Sequence, residues 1–515
     1  MKPERLLLMA TGSLPRGYAS GASSKDTWRK PMDDQFATAQ KMREALRTRR
    51  VSAQELLEWH LKRIKRYNQE INAIVVLTEE QACQRAAEAD AALARGVSLG
   101  PLHGLPVTIK DCIEVAGMPT TAGVPQRTHT ISTTTAPVAQ SILDAGTVLL
   151  GKTNLPPYAT DWQTSNPLFG RTNNPWDLTR TPGGSTGGGA AALAAGLTAL
   201  ELGSDLAGSL RIPAAFCGVY GHRPSETAVP RSGHIPGSPL ENPAVVMNVM
   251  GPLARSAADL EVALSIIAEP ILGEQVAWQL QFPQPRHTRL ADFRVAILPP
   301  VPWLPVDGEI LSALDDLAAR LRHMGARVEE IKPEGFDLWK HHEAYCQLLS
   351  ALIFADLRAD ERAQIVELLR QSPDPFAGAQ EAGVSATVSQ FLAMLEQREC
   401  YRALFREFFR DFDVLVAPVT VTSAFKHISD QIPRVKRTIQ VNGRTVPYTL
   451  LPVYAGLATY SGLPATVFPW GKTQHGLPLG LQVIGPYLED HTAITFAWLL
   501  EREFGGFTPP AGYSS

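Results

Sequence analysis

Cysteine is scarce in this chain and poorly placed for cross-linking. The five residues, at positions 83, 112, 217, 346 and 400, are odd in number and never form a C-x-x-C pair. That pattern argues against a disulfide framework or a zinc knuckle and for a reducing, cytoplasmic setting. Long apolar runs are missing as well. At the N-terminus only Leu6–Ala10 follows Arg5, shorter than a secretory core and well short of the ~18–20 residues that span a bilayer. Blocks of one charge are also absent: 48 Lys and Arg stand against 51 Asp and Glu. Nothing therefore advertises nucleic acid or a membrane, and a small molecule is the expected partner. The twelve histidines contain no H-E-x-x-H, and His341-His342 lies in a helical stretch without ligands at metal spacing. No metal and no cofactor are expected. There is no internal repeat and no low-complexity tract, and the oligomeric state stays open, with a homodimer among the options.

What the chain has instead is glycine, alanine and serine concentrated between Pro182 and Pro224, PGGSTGGGAAALAAGLTALELGSDLAGSLRIPAAFCGVYGHRP. A glycine-rich loop, Gly183–Gly189, leads into an Ala/Leu run of helical character and then a second small-residue turn, Gly203–Ser209. Two such turns expose backbone and leave Ser185 and Ser209 with little side-chain bulk over them, as a hydrolase presents a nucleophile.

Around this stretch the pattern is α/β. Residues 11–35, rich in Gly, Ser, Lys and Asp, read as a tail or strap. Ser52 and Glu55 form a capping box that opens an amphipathic helix, and an Ala-rich helix is expected over Glu79–Ala94. Val107-Thr-Ile-Lys-Asp111 is a short strand ending in two charges that alternate in facing. Gly146-Thr-Val-Leu-Leu-Gly151-Lys152-Thr153 fits the phosphate-loop pattern letter for letter. Its middle residues are apolar and strand-like, where a phosphate cradle needs an open loop, so a strand followed by a turn is the better reading. The irregular segment 154–181 carries Tyr158, Trp162, Phe169 and Trp176, which either line a pocket or pin the loop to the core. Gly251-Pro-Leu-Ala-Arg255 is read as the start of a helix. Residues 294–331 read as strand, helix, strand with a parallel crossover. The stretch 334–410 is mostly helical, Asp413–Pro418 is a buried strand, two strands follow around Gly471–His475, and a helix closes the chain near His491–Glu503.

Gly183-Gly-Ser-Thr-Gly187 also fits G-x-S-x-G, but a nucleophile elbow follows a buried strand and Thr179–Pro182 is not one. What remains is Lys110, Ser185 and Ser209. A lysine serves as base for a serine if burial favours its neutral form and a second hydroxyl relays the proton.

The run GGSTGGGAA…GSDLAGSLRIPAAFCGVYGHRP closely resembles the signature of the amidase signature family, and Gly104–Asp111 resembles its lysine motif. Gly151–Asn154, Asp413–Pro418 and Gly476–Gly485 resemble further blocks. The likeness covers roughly 36–265 and 410–503 and is weak over 270–410. It implies an α/β/α sandwich, a mixed central sheet covered by helices on both faces. It also implies one catalytic domain over 36–505, with 270–410 a variable region forming part of the substrate pocket and 506–515 a C-terminal tail. By motif, Lys110 is the catalytic lysine, Ser185 the bridging serine on a cis peptide with Gly184, and Ser209 the nucleophile. The N–H groups of Leu206, Ala207, Gly208 and Ser209 are the implied oxyanion hole, Asp205 and Arg211 brace the turn, and Tyr158, Trp162, Gly184 and Thr186 are candidate substrate contacts. The implied activity is hydrolysis of a small, neutral, mostly apolar amide, with esters and carbamates as further substrates. The alternative is a glutamine-hydrolysing component of a transamidating complex. Departures from the family pattern are Thr186, Ser204, Ala207, Arg223 and Pro157, and Ala207 adds a methyl beside the oxyanion turn.

Overall fold

The computed structural model describes residues 35–235, 246–270 and 273–513. The expected N-terminal tail, 1–35, lies outside them except for Gln35. The described residues from Gln35 onward gather into one compact unit.

Its centre is an 11-stranded mixed sheet. In chain order the strands are β1 (Ile74–Leu77), β2 (Pro106–Lys110), β3 (Val148–Thr153), β4 (Leu200–Asp205), β5 (Tyr220–Arg223) and β6 (Val249–Ala254). They continue with β7 (Arg294–Ile297), β8 (Arg327–Glu330), β9 (Val414–Pro418), β10 (Ala465–Lys472) and β11 (Pro478–Ile484). Across the sheet they run β1-β3-β2-β4-β6-β5-β10-β11-β9-β7-β8. β3, β2 and β4 are mutually parallel, as are β9, β7 and β8, and antiparallel strands join the two triplets. Every residue of β2, β4, β6 and β9 is buried. Strands buried on consecutive residues must be covered on both faces, which is the helix-sheet-helix layering expected of the fold.

Local chemistry explains the elements. The capping box is present: Ser52 Oγ accepts from Glu55 N–H, and the Glu55 carboxylate returns the bond to Ser52 N–H. The Ala-rich helix spans Glu79–Ala94. The phosphate-loop look-alike is strand: Lys152 and Thr153 are the last residues of β3. Gly151 is needed there because a Cβ would sit 1.9 Å from Val76 O.

Three expectations change. The Ala/Leu run is a short helix, Gly187–Ala194, that stops at Gly196 in the left-handed region. Leu200–Asp205 is then a central strand, so the second turn begins only at Leu206. Gly251–Ala254 is likewise strand, and the helix starts at Ala257 under a Ser256 cap. Pro252 is tolerated in β6 because pairing with β5 covers only Leu253 and Ala254. The last described residues are docked: Tyr513 is buried, its carbonyl accepts from Arg63 Nη2 (2.8 Å), and its ring meets Tyr67 at 5.0 Å.

Candidate active site

The site gathers at the carboxyl ends of β2 and β4, where open parallel sheets place their ligands. Lys110 is the last residue of β2 and is fully buried. Its Nζ donates to Ser185 Oγ (2.7 Å) and to Ser204 Oγ (3.0 Å). Ser185 lies on the loop before the Gly187–Ala194 helix, and its peptide bond with Gly184 is cis. It is fully buried rather than uncovered, because neighbouring loops close over it. A Cβ on Gly184 would approach Asp161 O to 2.5 Å, and Thr164 Oγ1 donates to Gly183 O (2.9 Å).

Ser209 stands on the turn between β4 and the helix Arg211–Cys217. Thr186 N–H donates to Ser209 O (3.1 Å), tying the two serine turns together through backbone. Ser209 retains 6% of its surface. Among the described residues no hydrogen bond joins its Oγ to that of Ser185.

Asp205 organises the second turn. Its carboxylate accepts from Gly208 N–H (2.9 Å), Leu210 N–H (3.2 Å) and both Nε and Nη2 of Arg211 (3.0 Å each). Arg223 Nη1 lies 3.5 Å away. Burial alone would raise the Asp205 pKa, but Arg211 and Arg223 outweigh it and hold the group well below the usual carboxylate range. One consequence narrows the expected oxyanion hole. Gly208 N–H is already committed to Asp205, which leaves the N–H groups of Leu206, Ala207 and Ser209 without partners among the described residues.

The candidate substrate contacts divide. Tyr158 is half exposed on a short turn at positive φ. Trp162 is buried, and its indole Nε1 donates to Ala207 O at 2.9 Å, so it faces the Leu206–Ser209 turn rather than an open pocket wall. Gly184 and Thr186 are buried in packing: Asp161 closes on the first, and Thr186 Oγ1 donates to Ser204 O (3.3 Å). Ser204, where the resemblance offers only a family departure, is the residue that sequence reasoning leaves without a role. Its register beside β2 was the available signal, because Ile109 pairs with Leu202 in parallel.

The family model Amidase matches residues 55–494. The chain belongs to the amidase family. It is 30% identical over 498 residues to a glutamyl-tRNA(Gln) amidotransferase component (its A chain) from Synechococcus sp. (strain CC9605), covering 92% of this chain and 97% of that one. It is also 30% identical over 465 residues to the indoleacetamide hydrolase of Bradyrhizobium diazoefficiens, covering 90% and 85%. A bacterial aryl acylamidase of the amidase signature family shares the fold, with a TM-score of 0.76 over 93% of this chain and 98% of that chain, at 23% identity.

In this amidase, burial shifts Lys110 toward the neutral amine. Burial pushes its pKa below the ordinary lysine range, opposed by Cys112, Glu201 and Asp205. No carboxylate bonds to its Nζ among the described residues. Glu201, also fully buried, is pushed up to about 7 by burial although Thr108 and Thr153 donate to it at 2.5 and 2.6 Å. Burial also raises the Cys112 thiol. Among the described residues no group of three or more His, Cys, Asp or Glu is placed to hold a metal, and no helix is long and apolar enough to cross a membrane.

Proposed function

We propose that this amidase cleaves the C–N bond of small, neutral, mostly apolar amides through an acyl-enzyme on Ser209. The observation that carries the reading is the 2.7 Å bond from a fully buried Lys110 to Ser185 Oγ, with Ser204 Oγ as the second hydroxyl on the amine. Ser209 Oγ attacks the carbonyl carbon and gives its proton to Ser185, which passes one to neutral Lys110. The free N–H groups of Leu206, Ala207 and Ser209 receive the oxyanion. As the tetrahedral species collapses, Lys110 returns the proton through Ser185 to the departing nitrogen. Water then repeats the sequence on the acyl-enzyme and releases the acid. Contact between the two hydroxyls closes as substrate binds, since catalytic hydrogen bonds often tighten only in the complex. The attacked group is an acyl carbonyl, so esters and carbamates fall within the same chemistry. The likeness to an indoleacetamide hydrolase supports a small aromatic amide.

The likeness to a glutamyl-tRNA(Gln) amidotransferase component supports a second reading, a protein that releases ammonia from glutamine for a partner complex. One experiment separates the two: purified protein is assayed on aryl amides, esters, carbamates and glutamine, with Ser209→Ala alongside. The expected result is amide turnover that falls by about 10⁴-fold or more in the variant, with glutamine near background. Activity surviving in Ser209→Ala overturns the mechanism, and glutamine as the preferred substrate favours the second reading.

A further inference from the structure

Segment 160–166 braces the site from outside it. At the Ala207–Gly208 peptide, the carbonyl accepts from Trp162 Nε1 (2.9 Å) while the N–H donates to Asp205 (2.9 Å). This peptide is pinned at both polar atoms. The N–H groups of Ala207 and Ser209 sit on the peptides immediately before and after it. Peptide units are planar and joined only at Cα, so fixing the middle plane restricts where its neighbours point.

Trp162 is held in turn. Its own N–H and the Tyr448 hydroxyl both donate to Asp161 Oδ1, at 2.7 and 2.6 Å, and Arg437 Nη1 donates to Asp161 Oδ2 at 2.5 Å. The Tyr448 ring stands 5.5 Å from the indole. Arg437 and Asp161 side chains retain only 6% and 16% of their exposure, so this ion pair is poorly screened by solvent. These contacts fix Asp161 and the Trp162 backbone, and the Tyr448 ring packs beside the indole whose N–H reaches Ala207 O.

We propose that Trp162 is a positioning residue for the oxyanion turn, aiming the Ala207 and Ser209 N–H groups at the reacting carbonyl, and that Asp161, tied to Tyr448 and Arg437, holds Trp162 in that pose. The inference rests on the reading of Ser209 as nucleophile. It assigns the indole to the transition state rather than to substrate affinity.

The test compares wild type, Trp162→Phe, Tyr448→Phe and the double variant on an amide that the wild type turns over. Each single variant should lose kcat, by about 10–100-fold for Trp162→Phe, because small misplacements at a reacting centre are costly. KM should stay within about threefold, because the interaction is made in the transition state. The double variant should be no slower than Trp162→Phe, since Tyr448 acts through the indole. Affinity for an aryl boronic acid, which forms a tetrahedral adduct on serine, should fall in step with kcat. Wild-type kcat in both single variants, or a loss confined to KM, overturns the proposal. Absence of Ser209-dependent turnover in the wild type instead removes the functional reading, and this inference falls with it.

Discussion

Two adjacent parallel strands of this amidase carry fully buried lysines at or beside their ends, and the two are treated differently. Lys110 closes β2 and Lys152 stands near the end of β3, paired with Ile109 in the ladder. Lys110 donates to two serine hydroxyls. Lys152 donates to Ile113 O and to Thr120 Oγ1, and the Asp111 carboxylate lies close enough to oppose the effect of burial on its charge. Burial brings Lys152 down to about 8 against the pull of Asp111, while Lys110 is lowered by burial with hydroxyls as its direct partners. Depth in the protein is the same for both. On the proposed mechanism, what would make one a base and the other a strut is whether its partners can exchange protons with a reacting group.

The largest test of that contrast is Lys110→Met, which should cut kcat by about 10³-fold or more, measured on the amide used for Ser209→Ala. The pH profile carries the sign. The proposed mechanism makes neutral Lys110 the active form, so kcat/KM should climb with pH and then level off, and the lowered pKa moves the plateau toward neutrality. A rate that falls as pH rises through the neutral range would break the assignment of Lys110 as base. Ser204→Ala removes one of the two hydroxyls on Nζ and should cost about tenfold in kcat, from looser placement of the amine. Lys152→Met should leave kcat within about threefold but lower stability by about 3 kcal/mol, because it strands Asp111, read by denaturant unfolding. In the wild type, Lys152 binds fewer protons folded than unfolded between about 8 and its ordinary value of 10.5. Stability therefore gains from this group as pH rises through that window, and the gain should vanish in the variant. Equal losses of kcat in Lys110→Met and Lys152→Met would erase the distinction between the two lysines.

Much of this was legible in residues whose signals are local. The Ser52/Glu55 box, the Glu79–Ala94 helix, the strand ending at Lys110 and the strand-helix-strand unit over 294–331 all stand where their patterns predict. The glycine-rich loop and the second turn were legible as motifs, and Lys110 does meet Ser185. What the pattern hid was set by distant partners. Pro252 argues for a helix start in isolation, yet β4 on one side makes it strand. Nothing in the sequence around Ala207 or Gly208 says that Asp205 takes one N–H and Trp162 takes one carbonyl. The hairpin Thr438–Val441 and Arg444–Pro447 did carry a signal, the Asn442-Gly443 pair, both residues at positive φ as a two-residue turn requires.

Arg211 shows how late the site is completed. Besides gripping Asp205, its guanidinium donates to Ala455 O (2.8 Å), Gln482 Oε1 (3.0 Å) and Thr459 Oγ1 (2.7 Å), partners 244 to 271 residues farther along the chain. Contacts that distant form slowly, because long loops must close first. A ribosome-bound chain that has already exposed Lys110, Ser185 and Ser209 therefore lacks the far anchors of the Leu206–Ser209 turn. On the proposed mechanism, hydrolytic competence should arrive only when the segment carrying Thr459 and Gln482 has been synthesised and packed, so that an interrupted translation product carries Lys110, Ser185 and Ser209 and remains inert.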